Sequence, residues 1–160
     1  MVSAERPSAS ADGSAARADH AAGNGVALDQ LFDAEGLFQL RSAVAAHGAH
    51  LGLAEPDLAD LVLVAHELAS NAVRHGRADS TDPGRLRLWR AGDVIVCEVS
   101  DHGPGLADPA RAGEAPPPTG ASGGRGLYIV RQVVARLEIA SGPAGATVTA
   151  TVAIPGEPVA

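Results

Sequence analysis

Lysine is absent from this chain: all twelve basic residues are arginine. That excludes a phosphate-binding loop of the G-x-x-x-x-G-K type, a lysine Schiff base and the strand lysine of the protein-kinase fold. Phosphate chemistry here has to use arginine, backbone N–H groups or a metal. One cysteine, Cys97, excludes an internal disulfide. Aromatic residues make up only 2% of the chain, so a core has to be assembled from Ala, Val, Leu and Ile. No run approaches the roughly 20 apolar residues of a membrane span. The opening MVSAERPSAS has no apolar segment of the signal-peptide kind, so a cytoplasmic protein is expected. Nineteen acidic residues against twelve basic ones give a formal net charge of −7. This argues against a nucleic-acid footprint or a polybasic membrane face, both of which need clustered positive charge.

What is present suits one folded domain: 160 residues, 46% of them hydrophobic. Met1 to about Gly25 repeats no apolar residue at strand or helix spacing and reads as a disordered tail, leaving 26–156 as the domain. Val26 to Phe32 suits a short strand. Asp33 then suits the cap of a helix from about Ala34 to His50, with Leu37, Leu40, Arg41, Val44 and Ala45 along one stripe and Gly48 and Gly52 near its end. Pro56 suits the first turn of a second helix that runs to His75 and stops at Gly76. LRLW, Leu86 to Trp89, and VIVCEVS, Val94 to Ser100, suit strands joined by a hairpin at Ala91-Gly92-Asp93. Asp101 to about Gly124 is a long Gly- and Pro-rich loop, including Pro116 to Pro118. A helix from Gly126 to Arg136, a strand at Leu137 to Ala140, a turn at Ser141 to Gly145 and a last strand, Ala146 to Ile154, complete the chain. The expected class is α/β: helices on one face of a mixed, mostly antiparallel sheet.

The chemistry concentrates in HELASNAVRHG, His66 to Gly76, which continues the apolar run LADLVLVA. Glu67 and Asn71 are four residues apart and share a helix face. A carboxylate there can take a proton, and an amide oxygen can serve a magnesium ion. DHGPG, Asp101 to Gly105, follows a strand. Asp101 can accept a hydrogen bond from an exocyclic amine, and Gly103 and Gly105 let the backbone approach a flat base. GGRGLYIV, Gly123 to Val130, opens a helix whose free N–H groups at Gly123, Gly124 and Gly126 suit phosphates, with Arg125 as a fixed cation. In GATVTATV, Gly145 to Val152, Thr147 offers a hydroxyl to the base.

Other readings carry less. GASGG, Gly120 to Gly124, fits a nucleophile elbow at Ser122 but lacks the preceding strand that motif requires. HELAS has Ser70 where a zinc helix needs a second histidine. Cys97 on an apolar strand reads as a core residue. His66 and His75 read as a helix flank and a helix-end cation.

Taken in order, ELASNAVRHG, DHGPG and GGRGLYIV resemble the asparagine box and the two glycine boxes of the histidine-kinase-like (GHKL) ATPases. Within that superfamily the chain is most similar to the bacterial anti-sigma-factor serine/threonine-kinase branch. The resemblance covers about Gln30 to Ile154. It implies a Bergerat-type two-layer α/β sandwich holding ATP with Mg²⁺, the metal on Asn71. It also implies adenine read by Asp101, nucleotide contacts from Arg74, Gly103, Gly105, Gly123, Gly124, Arg125, Gly126, Leu127 and Thr147, and a mobile lid between the glycine boxes. Glu67 matches the general base of the serine-kinase branch. The implied partners are a sigma factor and an anti-anti-sigma antagonist that accepts the phosphate, and the implied assembly is a homodimer. The lid departs from the pattern in its Pro and Ala content and its single cation, Arg111, which bears on turnover more than on binding. The rival reading is a module that binds nucleotide or a partner without catalysis. Glu67 separates the two, because a binder has no use for a base.

Overall fold

The computed structural model describes residues 25–75, 82–106, 108–116 and 125–156. The expected tail therefore lies almost wholly outside the described residues, as do Gly76, Gly123 and Gly124. The elements in chain order are β1 (Leu28–Phe32), α1 (Leu37–His50), α2 (Asp57–His75), β2 (Gly84–Ala91), β3 (Val94–Ser100), α3 (Arg125–Val133), β4 (Arg136–Gly142) and β5 (Gly145–Ala153).

The five strands form one sheet in the order β1-β2-β3-β5-β4. Every pairing is antiparallel, so the sheet is not mixed as the sequence suggested. The last strand inserts between β3 and β4, leaving β1 and β4 as the edges. The helices cover one face. Leu86, Leu88, Ile95, Cys97, Val99, Val148, Ala150 and Val152 point into that layer from alternate strand positions and are buried. The other face is solvated and carries ion pairs: Arg85 with Asp29, Arg87 with Glu98, and Arg136 with Glu138. The two hydrogen bonds from the Arg85 guanidinium hold the Asp29 carboxyl below the usual carboxylate range. The Arg87–Glu98 pair is half-buried, whereas the other two are exposed, and exposed pairs contribute about 0–1 kcal/mol each, so they keep the face wet rather than hold the fold. Deep burial of branched side chains, about 1.5–3 kcal/mol apiece, does that instead.

α2 organises the helical layer. Asp57 and Asp60 in its first turn and Arg74 and His75 in its last complement the helix dipole. Leu61, Val64, Ala65, Leu68, Ala69 and Ala72 form its buried stripe. It packs on the sheet and against both α1 and α3. The contact with α1 is close because Gly48 has no side chain: a Cβ there would stand 2.7 Å from Leu61 Cδ2. Gly48 is thus a packing residue rather than a helix stop. The stop is made by Gly52, in the left-handed region at φ +107°.

Two helix starts differ from expectation. The Asp33 carboxylate accepts the Gly36 N–H at 2.9 Å, closing a turn that delays α1 to Leu37. Pro56 lies just before α2 rather than within it, and Glu55 accepts the Ala59 N–H at 3.2 Å. α3 also ends earlier than its periodicity suggests, at Val133, because β4 starts at Arg136. No helix among the described residues is long and apolar enough to cross a membrane.

Candidate functional site

Between the C-terminal half of α2 and the β3–β5 pair lies a narrow recess, partly open to solvent. Its helix wall is Leu68, Asn71, Ala72 and His75, an i, i+3, i+4, i+7 stripe. Its sheet wall is Val99, Ala146 and Val148, with Asp101 at the end of β3, and Gly105 and Leu106 close one side. The walls are apolar, and Asn71, His75 and Asp101 are the polar side chains among the described lining, the composition expected of a small-molecule site.

The Asp101 carboxylate is divided between two tasks. Oδ1 accepts the Gly103 N–H at 2.9 Å and the Ala146 N–H at 3.2 Å. The Asp101 N–H in turn donates to the Ala146 carbonyl at 2.9 Å. Oδ1 therefore belongs to the fold, fixing the strand end against β5. Oδ2 takes no bond from the described residues and is left as an acceptor on a residue that lines the recess. Gly103 is buried beneath this turn. Gly145, at φ +139°, lets β5 pass directly over the Asp101 carbonyl, where any side chain would collide.

Glu67 sits one helical turn from Asn71, about 6 Å along the axis, and outside the recess lining. Its carboxylate lies against the start of α3: a Cβ on Gly126 would be 2.6 Å from Glu67 Oε2. Gly126 thus makes room for the acid at a helix N-terminus, where N–H groups are unpaired within the helix and the dipole favours negative charge. Arg125, exposed, is the first residue of that helix, and Leu127, buried, anchors it in the core.

The structure therefore brings Asn71, Asp101 and Gly105 to one recess, with Gly103 beneath it, and sets Glu67 and Gly126 together beside it. Arg74 is on the last turn of α2 but exposed and away from the lining. Thr147 requires a correction. Burial alternates along β5, with Ala146 and Val148 turned to the helices, so Thr147 faces the solvated side of the sheet. Its register partners there are Ser100 and Ala140. The residue that meets the recess is Ala146, which has no hydroxyl to offer. The sequence reading also missed His75 as a lining residue, although the α2 stripe containing Leu68, Asn71 and Ala72 extends to it.

Comparison with known proteins gives the same architecture. The structure is similar to the RsbU and RsbW domains of Rv1364c from Mycobacterium tuberculosis, with a TM-score of 0.61 and 24% identity over 83% of this chain and 34% of that one. It is also similar to the histidine kinase domain of the blue-light activated histidine kinase EL346 from Erythrobacter litoralis, with a TM-score of 0.50 and 21% identity over 74% of this chain and 63% of that one. The chain thus spans about a third of the first protein's length and somewhat under two thirds of the second's. These likenesses establish the fold. No curated protein sequence matches. The family model of the histidine kinase-like ATPase domain matches residues 32–152, which runs from the last residue of β1 through the recess to most of β5. The chain belongs to the histidine kinase-like ATPase domain family.

Proposed function

We propose that residues 26–156 form a serine/threonine protein kinase domain that acts as an anti-sigma regulatory factor in the cytoplasm. It transfers the γ-phosphate of Mg-ATP to a hydroxyl of an anti-anti-sigma antagonist and, as a homodimer, sequesters a sigma factor. The observation that carries this reading is the disposition of α2: Asn71 at the recess and Glu67 one turn away, its carboxylate against Gly126 at the start of α3.

The residues fit the nucleotide. Asp101 lines the narrow recess, and its Oδ2, which takes no bond from the described residues, is an acceptor suited to the amine of adenine. No group of three or more His, Cys, Asp or Glu residues capable of holding a metal occurs among the described residues. A single amide oxygen at Asn71 suits Mg²⁺, which keeps its waters and binds chiefly through substrate phosphates. When bound, the metal neutralises phosphate charge. Gly126 and the N–H groups of the first turn of α3 receive phosphate oxygens, with Arg125 as a permanent cation. Glu67 accepts the proton of the incoming hydroxyl. As the O–P bond forms, the bond between the γ-phosphorus and its bridging oxygen breaks and ADP leaves. Such transfer is mostly positioning and charge neutralisation, with a base orienting the nucleophile.

The test is incubation with γ-labelled ATP and candidate antagonist proteins. Label is expected on a serine or threonine. Glu67→Gln should keep Mg-ATP affinity while transfer falls about 10²–10⁴-fold. Transfer at the wild-type rate in that variant removes Glu67 from the mechanism.

A further inference from the structure

The loop that leaves Asp101 is fixed to the rest of the domain at two places. Gly105, at φ +83°, lies so close to the β4–β5 turn that a Cβ would stand 2.5 Å from the Gly142 carbonyl and 2.6 Å from Ser141 Oγ. The next residue, Leu106, donates its N–H to Ser141 Oγ at 2.7 Å. Farther on, 108–114 folds into successive turns, with Arg111 N–H donating to the Asp108 carbonyl and Glu114 N–H to the Arg111 carbonyl. That segment rests on α3. Gly113, at φ +76°, presses its backbone to Leu127, whose carbonyl oxygen would stand 2.7 Å from a Cβ. Arg131, one turn along α3, donates from Nε to the Ala112 carbonyl at 2.6 Å. Gly105 and Leu106, which make the first attachment, also wall the recess.

We propose that Arg131 is a positioning residue. Through Ala112 it latches the 108–114 turns to α3, keeps Leu106 against the recess, and so sets how long a nucleotide stays bound. This rests on reading the recess as the nucleotide site. Arg131 is absent from the recess lining and acts through the loop. The same helix carries Gly126 against Glu67 at its other end, so the latch ties the recess wall to the element that meets the proposed base.

The geometry supplies a clean test because the donor is Nε. Glutamine places an amide N–H₂ at the same bond position, whereas methionine places a methyl group there. Arg131→Met should speed exchange of the 106–114 amides and raise the dissociation rate of a fluorescent ATP analogue about tenfold or more, the scale of one hydrogen bond involving a charged group. Association should change little. Arg131→Gln should return both quantities towards wild type. Unchanged amide exchange in Arg131→Met would show there is no latch. Faster exchange with wild-type nucleotide dissociation would show that the contact merely shapes the loop. Failure of glutamine to restore either quantity would show that the Nε bond is not the cause. If wild type binds no adenosine nucleotide, the site reading falls and takes the latch with it. If wild type binds and the variants match it, only the latch falls.

Discussion

Asp101→Asn is the most informative single change, because the two carboxylate oxygens have separate duties. Asparagine keeps a carbonyl oxygen where Oδ1 stands, so the N–H groups of Gly103 and Ala146, at 2.9 and 3.2 Å, retain their acceptor. Only the second oxygen changes, from an acceptor to an N–H₂ donor. Stability should therefore fall by no more than about 1 kcal/mol, the difference between charged and neutral acceptors. Adenine then presents its amine to a donor. Losing a hydrogen bond to a charged group costs about 1.5–3 kcal/mol, or roughly 10–150-fold in affinity. The control ligand is the triphosphate of unsubstituted purine riboside, which lacks the amine. It should bind wild type less tightly than ATP and lose almost nothing in the variant. Titration calorimetry with both ligands decides the matter. Equal losses for the two would refute the contact. Asp101→Ala is the wrong experiment, because it leaves both N–H groups without this acceptor, at about 1–3 kcal/mol each, and confounds folding with recognition.

Three further outcomes are expected. Asn71→Ala should weaken ATP binding when Mg²⁺ is present and leave metal-free binding nearly unchanged; equal affinities with and without metal in wild type would overturn the assignment. Gly48→Ala should destabilise by about 1 kcal/mol in urea titration, since overpacking costs of about 1–3 kcal/mol outweigh a helix-propensity gain of up to about 1; a more stable variant would show that Leu61 and Leu58 yield freely. Burial pushes the Cys97 thiol up to about 12, against about 8.5 in an unfolded chain. Above pH 8.5 the unfolded state releases this proton and the folded state keeps it, so stability falls as pH rises, by about 2 kcal/mol at pH 10. Cys97→Val should lack that component, and identical alkaline slopes for the two proteins would count against it.

Much of the architecture could be read from spacing alone. VIVCEVS alternates so regularly that its strand bounds were legible to the residue, and Gly92 marked the β2–β3 hairpin. The α2 face bearing Glu67 and Asn71 followed from helical periodicity. Other features depend on partners distant in sequence. Asp33 satisfies a turn rather than a helix cap, and nothing local distinguishes those uses. Thr147 was misassigned because a strand side is set by register, and a one-residue shift exchanges the two faces. That β5 slides between β3 and β4 is a choice of neighbours that alternation does not encode. The contacts of Gly126 with Glu67 and of Arg131 with Ala112 exist only once α3 is docked.

The solvated side of the sheet has a practical consequence. Trp89, the chain's one tryptophan, projects from β2 on that side beside Arg87, whose guanidinium carbon lies 5.5 Å from the ring centroid. It is only 6% exposed, yet it stands across the sheet from the recess. Its emission should follow unfolding and stay silent to ligand. Intrinsic fluorescence is therefore a denaturation gauge for this protein, and occupancy has to be followed with a dye on the nucleotide.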